Sequence, residues 1–162
     1  MVEIKEITDD SDLKTSLQVI RDSFITVAQE LNLTKENCPA HSAFTTREKL
    51  LELQKKTDLF GLFKDGMQVG FVAIEKAEGG VYYLDKLSVL PEHRHMGYGK
   101  KLVKFVIDRV KKHGGEKVSL GIIDSHAVLK EWYRSLGFRE TGTKKFEHLP
   151  FVVCFMENNA LS

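Results

Sequence analysis

The sequence predicts a mixed α/β fold, and three local patterns carry this prediction. A strand over Val81–Val89 leads through a glycine-containing loop into an amphipathic helix over 98–113. Two apolar segments flank Asp65-Gly66, which is a strong hairpin signal. Apolar residues recur at helical spacing over 13–31. Helices and strands therefore interleave along the chain.

The element boundaries follow from apolar periodicity, with about seven strands and about four helices. Apolar alternation or short apolar runs predict strands at about 2–7, 59–63, 67–74, 81–89, 118–123, 138–144 and 151–156. Helical apolar spacing predicts helices at about 11–31, 45–56, 98–113 and 125–136.

Capping residues support these helices. Ser11 or Asp12 is expected to cap the first helix, and Thr45–Glu48 offers a capping box for the second. Ser125 is expected to open the last helix, and Gly137 to end it.

Composition is typical of one globular domain. The 162 residues are 42% hydrophobic and 29% charged, enough to bury a core without disulfides or metals. With 24 basic and 23 acidic side chains, the formal net charge is +1. This balance favours neither a nucleic acid nor a membrane surface as partner.

Two cysteines, Cys38 and Cys154, could pair in principle. The first ten residues alternate like a strand and lack the apolar run of a signal peptide or anchor. Two thiols in such a chain fit a reducing compartment, so we expect free cysteines and a cytoplasmic location.

The segment Leu87–Lys100 is suited to binding a pyrophosphate. The first amides of a helix lack intrahelical partners, and the helix dipole places partial positive charge at that end. Gly97 and Gly99 allow phosphate oxygens to approach the main chain, while Arg94 and Lys100 can add charged contacts. Taken alone, the pattern also fits an ordinary strand-to-helix turn.

Two motifs resemble a known family. Arg94, Gly97 and Gly99 match the Arg/Gln-x-x-Gly-x-Gly/Ala signature of the GNAT superfamily of acyl-CoA N-acyltransferases. Tyr133–Phe138 matches its second segment, a tyrosine before a Gly-Phe that closes a helix. The element order from about Asp58 to Glu157 also follows the family. The resemblance implies one domain over 1–162, with a mostly antiparallel sheet that splays at its central strands.

The resemblance implies transfer of an acetyl group from acetyl-CoA to a primary amine of a small molecule or peptide. Because a thioester is already activated, positioning and oriented dipoles can supply much of the acceleration of a direct attack. The amine must still lose a proton, and the departing thiolate must gain one. The acceptor site would be formed by Leu31–Phe44 and Phe146–Pro150, whose residues do not identify the amine.

The resemblance also implies the cofactor contacts. Backbone groups of Leu87, Ser88 and Val89 would bind the pantetheine like an added strand, with Leu87 and Val89 left unpaired by the sheet. The diphosphate would lie against the signature loop and first helical turn, namely Arg94, His95, Met96, Gly97, Tyr98, Gly99 and Lys100.

Tyr133 is the candidate acid and a cofactor contact, since by resemblance its hydroxyl faces the thioester sulfur. A phenol can donate a proton without carrying charge. Considered without the resemblance, Tyr133 would more simply be a packing residue beside Trp132.

Asp85 is the candidate base. In an unbroken strand it shares a face with Tyr83, Leu87 and Val89. Tyr83 stands where some relatives carry a catalytic glutamate, and a chain of waters could replace a dedicated base. A salt bridge or strand-edge contact is equally compatible with Asp85.

His126 stands where the family commonly has an asparagine that orients the cofactor. It could donate to a carbonyl or phosphate of the cofactor, act as a base, or serve only as an early-helix polar residue. His93, His95 and His126 lack Cys or acidic partners at familiar zinc spacing, so no metal is expected.

Three functions are compatible with the sequence. The first is an N-acetyltransferase, the second a non-catalytic acyl-CoA-binding or sensing module of the same fold, and the third an unrelated phosphate-binding domain. A homodimer is compatible with the resemblance, although no sequence feature demands one.

Overall fold

The computed structural model describes residues 1–160, so the last two residues of the predicted 1–162 domain lie outside the described residues. The elements are β1 (Val2–Glu6), α1 (Asp10–Glu30), α2 (Arg47–Lys56), β2 (Asp58–Lys64), β3 (Met67–Lys76), β4 (Val81–Val89), α3 (Tyr98–Lys112), β5 (Lys117–Ile123), α4 (Ala127–Ser135), β6 (Arg139–Lys145) and β7 (Val152–Asn159). The strands form one sheet in the order β1-β2-β3-β4-β5-β7-β6. The predicted mixed α/β fold is confirmed.

The chain divides into two compact units. The first unit comprises Met1–Glu75 and Asp85–Lys104, and the second comprises Lys76–Leu84 and the chain from Phe105 onward. Each unit therefore holds part of β4 and part of α3. That the whole chain acts as a single domain stays a prediction.

In the first unit, β1, β2 and β3 form an antiparallel meander. Strand β2 pairs with β3 from Asp58–Ile74 to Lys64–Met67. The two residues between these strands, Asp65 and Gly66, have φ values of 49° and 85°. A two-residue turn with both φ values positive matches the twist of the strands it joins, so the predicted hairpin is confirmed.

The core of the first unit packs α1 and α2 against β2 and β3. Burial of these apolar side chains is the main stabilising contribution to the unit. The buried cluster consists of Ile7, Leu13, Val19, Ile20, Leu50, Leu53, Leu59, Phe63, Phe71 and Ala73.

Of the helix caps of the first unit, that of α1 differs from the prediction. Asp9, rather than Ser11 or Asp12, caps α1, and its carboxylate accepts from the Asp12 amide at 2.8 Å. For α2 the cap is Thr46, whose hydroxyl accepts from the Lys49 amide at 3.2 Å. The α1 cap therefore lies before the two predicted residues, because several residues there are competent caps, whereas the α2 cap lies within the predicted segment Thr45–Glu48.

In the second unit, β5 pairs with β4 in parallel and with β7 antiparallel. The parallel register joins Val81–Tyr83 to Lys117–Ser119. Strand β7 pairs with the whole of β5 on one side and with β6 on the other. The predicted splay concerns the later part of β4, which belongs to the first unit, and it stays a prediction.

The end of α4 explains the second sequence motif. The Phe138 amide donates to the Tyr133 carbonyl at 3.1 Å, and the Gly137 amide donates to the Arg134 carbonyl at 3.0 Å. This pair of bonds is a Schellman motif, with Gly137 at φ 96° as its left-handed residue. The rings of Tyr133 and Phe138 lie 5.4 Å apart and supply the hydrophobic contact of that motif.

None of the helices formed by residues 1–160 is both long and apolar enough to cross a membrane.

The cap of α1 gives a stability prediction. We expect Asp9→Ala to lower the free energy of unfolding by about 1 kcal/mol, because the Asp12 amide loses its partner. Ser11→Ala is the matched control and should have little effect, although Ser11 is one of the two caps that the sequence predicted. Urea denaturation of the three proteins measures this, and equal losses in both variants would contradict the assignment.

Candidate functional site

The signature loop lies in the first unit and connects β4 to α3. After β4, the Leu90 amide donates to the Val69 carbonyl at 2.9 Å, and Pro91–His93 forms a short 3-10 turn. His95 and Gly97 both have positive φ, 64° and 82°. The main chain therefore reverses tightly before α3 begins.

The first turn of α3 exposes main-chain amides. The Lys101 amide donates to the Gly97 carbonyl at 3.0 Å, so the amides of residues 98–100 precede the first intrahelical bond. A Cβ atom built on Gly97 would meet no heavy atom within 4 Å. Gly97 is thus required by its left-handed backbone rather than by crowding, and open space lies before it. This arrangement fits a phosphate group.

The side chains of the loop differ in exposure. His95, Met96 and Lys100 are exposed, with Met96 at 52%. Tyr98, by contrast, is buried and lies against the ring of His93 at 6.5 Å. Of the predicted cofactor contacts, Tyr98 can therefore contribute its main-chain amide but not its ring.

Arg94 is held by α1. Its Nη2 donates to the Ser23 carbonyl at 2.7 Å, and its Nη1 donates to the Thr26 hydroxyl at 3.2 Å. A guanidinium has five N–H donors, so these bonds leave some for a ligand. Arg94 thus ties the loop to a helix and positions it, and the predicted contact of Arg94 with a phosphate stays a prediction.

A left-handed residue interrupts β4. Lys86 has a φ of 54° between Asp85 and Leu87. The predicted common face assumed an unbroken strand and stays a prediction: Tyr83 and Asp85 are exposed, and Leu87 and Val89 are half-buried. No local signal marks Lys86 for this conformation, because lysine does not favour positive φ.

Ser23 already binds the end of β4. Its hydroxyl accepts from the Val89 amide at 3.2 Å, so this amide, which was expected to bind the pantetheine, already has a partner in α1. Ser88 is buried, and its hydroxyl donates to the Lys86 carbonyl at 2.8 Å. A sequence signal for Ser23 existed: it stands with Ser16 at a seven-residue spacing on the buried face of α1.

Asp85 is an exposed carboxylate beside Lys86. Its negative charge raises the pKa of the Lys86 ammonium, an effect that opposes the larger lowering caused by burial. Within residues 1–160, Asp85 forms no ion pair closer than 4.0 Å. The salt-bridge interpretation of Asp85 is therefore not what the described residues show.

Tyr133 lies on α4 in the second unit, and its side chain is buried. Its ring packs edge-on against Trp132 at 4.9 Å and against Phe138. Burial raises the pKa of its hydroxyl well above the ordinary value. The phenol therefore stays protonated at neutral pH, and within residues 1–160 its hydroxyl has no hydrogen-bond partner.

His126 caps α4, a position that the sequence assigned to Ser125. Its Nδ1 accepts from the Leu129 amide at 3.3 Å. A neutral imidazole that accepts at Nδ1 carries its proton at Nε2, which leaves one donor for a ligand. The early-helix interpretation of His126 is thus supported, and a donor role stays compatible with it.

An ion-pair network accounts for another cluster in the second unit. Among residues 1–160, Asp124, Glu140 and Cys154 place atoms that could bind a metal ion within 4.8 Å of one another. The Lys130 ammonium lies among them, 2.8 Å from Asp124 and 3.2 Å from Glu140. A charged amine that already neutralises both acids explains their proximity. Cys154 and Cys38 are both free, as predicted, and both are buried.

Solved structures share this fold. A PaiA N-acetyltransferase from Thermoplasma acidophilum, in complex with coenzyme A, matches with a TM-score of 0.81 and 22% identity over 98% of this chain and 99% of that one. The ribosomal-protein-S18-alanine N-acetyltransferase of Escherichia coli matches with a TM-score of 0.78 and 18% identity over 99% and 94%. A Bacillus anthracis protein in complex with acetyl coenzyme A matches with a TM-score of 0.59 and 16% identity over 64% and 62%.

The family follows from the sequence comparison. The acetyltransferase (GNAT) family model matches residues 24–138, well over half of the chain. No curated protein matches the chain by sequence. The fold and the β4–α3 loop define an acyl-group transferase, and the chain belongs to the acetyltransferase (GNAT) family. The predicted resemblance is confirmed.

The network around Glu140 gives a pH prediction. Hydrogen bonds from Cys154, Lys130 and Arg134 hold the pKa of Glu140 below its ordinary value of 4.5. A carboxyl group with a lowered folded-state pKa stabilises the protein above its ordinary pKa, and this contribution is lost as the pH falls through the lowered value. Glu140→Gln should therefore lower the thermal midpoint at neutral pH, and the difference should shrink under acid conditions.

Glu147→Gln removes an exposed acid of the same unit and serves as the control. Thermal unfolding of the three proteins between neutral and acid pH measures the effect. A Glu140→Gln deficit that stays constant across this range would contradict the assignment.

Proposed function

We propose that this protein is an N-acetyltransferase that transfers an acetyl group from acetyl-CoA to a primary amine of a small molecule or peptide. The observation that carries the proposal is the β4–α3 connection, where Gly97 is left-handed and opens onto free space ahead of the exposed first turn of α3. Family membership supports the choice of acetyl-CoA, since related structures contain coenzyme A or acetyl coenzyme A.

The residues present fit that cofactor. Main-chain amides of residues 97–100 would hold the diphosphate, with the exposed Lys100 side chain as a further cation. Leu87, Ser88 and Val89 would hold the pantetheine through their main chain, and the Val89 amide would exchange its bond with Ser23 for one with the ligand. The Nε2 atom of His126 would supply one more donor.

Acetyl-CoA, when bound, supplies a thioester carbonyl that an amine can attack directly. The chain's own groups then manage protons as a nitrogen–carbon bond forms and the carbon–sulfur bond breaks. Asp85 takes the proton that the amine gives up, directly or through water, because it is exposed and forms no ion pair within residues 1–160. Tyr133 donates its hydroxyl proton to the departing sulfur, so coenzyme A leaves as the thiol, and the tyrosyl oxygen regains a proton from water.

Packing suits Tyr133 to this role. Its hydroxyl, whose pKa is raised by burial, carries its proton and is present as a donor. Trp132 and Phe138 fix the ring, so little orientational freedom is lost when the hydroxyl donates.

We further propose that the whole chain acts as one acetyltransferase domain in the cytoplasm. Two buried, unpaired thiols support a reducing compartment.

A panel of polyamines, amino sugars, amino acids and peptide amino termini tests the reaction, with release of the coenzyme A thiol as readout. We expect turnover with at least one amine, and we expect Tyr133→Phe to lower kcat by about a hundredfold or more while acetyl-CoA binding persists. Tyr82→Phe makes the same chemical change elsewhere in the second unit and should leave kcat unchanged. Binding without turnover for any amine would favour a non-catalytic acyl-CoA-binding module.

The loop yields a second test. Gly97→Ala should weaken acetyl-CoA binding by about tenfold or more, because alanine disfavours the left-handed backbone that aims the amides at the phosphates. Gly66→Ala is a matched control, since Gly66 has a φ of 85° against 82° and is equally open. Both variants should lose similar stability. If calorimetry gave Gly97→Ala and Gly66→Ala the same affinity for acetyl-CoA, the assignment of this loop as the diphosphate site would be contradicted.

A further inference from the structure

Lys86 places a cation beside the polar connection between α1 and α2. Its Nζ donates to the Ser42 hydroxyl at 3.0 Å, and Ser42 begins the short turn Ser42–Phe44 within that connection. Lys86 has a left-handed backbone with a φ of 54°, so its side chain leaves the strand in a different direction from that of an ordinary strand residue. A non-glycine residue is held in this region only where its surroundings fix it, and such residues cluster at functional sites.

The Lys86 ammonium lacks a neutralising partner. Within residues 1–160 it forms no ion pair closer than 4.0 Å, and the Ser42 hydroxyl is its one hydrogen-bond partner. An ammonium has three donors, and a hydroxyl carries no charge. Burial lowers the pKa of Lys86, and the positive charge of Lys49 lowers it further, while Asp85 acts in the opposite direction.

His41 adds a donor rather than an acceptor to these surroundings. Its Nδ1 accepts from the Ala43 amide at 3.2 Å, and its ring packs against Phe24 and Phe44. Burial and the charge of Lys86 lower the pKa of His41, so the imidazole stays neutral with its proton at Nε2. The remaining donors of Lys86 and the Nε2 donor of His41 suit an anion.

We propose that Lys86 binds a carboxylate of the acceptor, so that the acceptor is an amino acid, with an amine and a carboxylate in one small molecule. This inference rests on the acetyl transfer proposed above. One ammonium beside a neutral hydroxyl matches the single charge of a carboxylate. Asp85 and Lys86 are consecutive, so the base and the carboxylate-binding group come from one short piece of backbone.

The opposing interpretation is that Lys86 only fastens the turn at Ser42. That role predicts a loss of stability in Lys86 variants but no change in the choice of acceptor. Selectivity between a carboxylate and its uncharged amide therefore separates the two interpretations, because folding affects both acceptors equally.

The experiment compares L-amino acids with their carboxamides as acceptors. In the wild type, kcat/KM should favour the acid over its amide, and Lys86→Met should reduce this preference by about tenfold or more, mainly through KM. Activity toward the amide should persist. Lys86→Arg should keep the preference, and so should Lys49→Met, which removes an exposed neighbouring cation. Amides accepted as readily as acids, or a preference unchanged in Lys86→Met, would overturn the proposal.

A binding measurement keeps the proposal separate from the proposed function. N-acetyl-L-amino acids and their amides are titrated into the wild type and Lys86→Met by calorimetry. If no amine gives turnover, acetyl transfer fails, yet tighter wild-type binding of an acid than of its amide, lost in Lys86→Met, still supports the carboxylate site. If turnover occurs without carboxylate selectivity, the site fails and the acetyl transfer stands. Equal binding of acids and amides in a protein without turnover rejects both.

Discussion

The backbone between Asp85 and Tyr98 is the constraint on which the candidate site depends. Three residues in this segment are left-handed: Lys86, His95 and Gly97. Only one of them is glycine, so two carry a conformational cost that the rest of the first unit must offset. Contacts with α1 contribute to this offset. The Ser23 hydroxyl accepts from the Val89 amide, and the Ser23 carbonyl accepts from Arg94. A helix that is remote in sequence thus fixes the conformation that exposes the amides of α3.

The features that could be predicted from the sequence are those with a local cause. The hairpin at Asp65-Gly66 follows from a two-residue turn, and the end of β4 follows from the proline at position 91. Gly97 and Gly137 follow from the need for positive φ at one position. In each case the residues that cause the structure are adjacent to it.

The features that could not be predicted depend on distant partners. Three such contacts join segments more than 40 residues apart: the bond from Lys86 to Ser42, the contacts of Arg94 with α1, and the bond between Ser23 and Val89. Caps were misplaced by a few residues because Asp9, Ser11 and Asp12 are all competent, and only the folded chain selects one. The motif at Tyr133–Phe138 has two explanations, since it both ends a helix through a hydrogen-bond pattern and matches a family signature. The sequence alone does not distinguish the structural role from the functional one.

Two lysines show why net charge is a poor guide to a site. Lys130 lies between Asp124 and Glu140, and hydrogen bonds to both raise its pKa. Lys86 has a hydroxyl as its one hydrogen-bond partner within residues 1–160, and burial lowers its pKa. The Lys130 ammonium is neutralised by these two carboxylates and links α4 to β6. The Lys86 ammonium is left with donors that only a ligand or water can satisfy, so the partner of a lysine, not its presence, decides whether it binds a substrate.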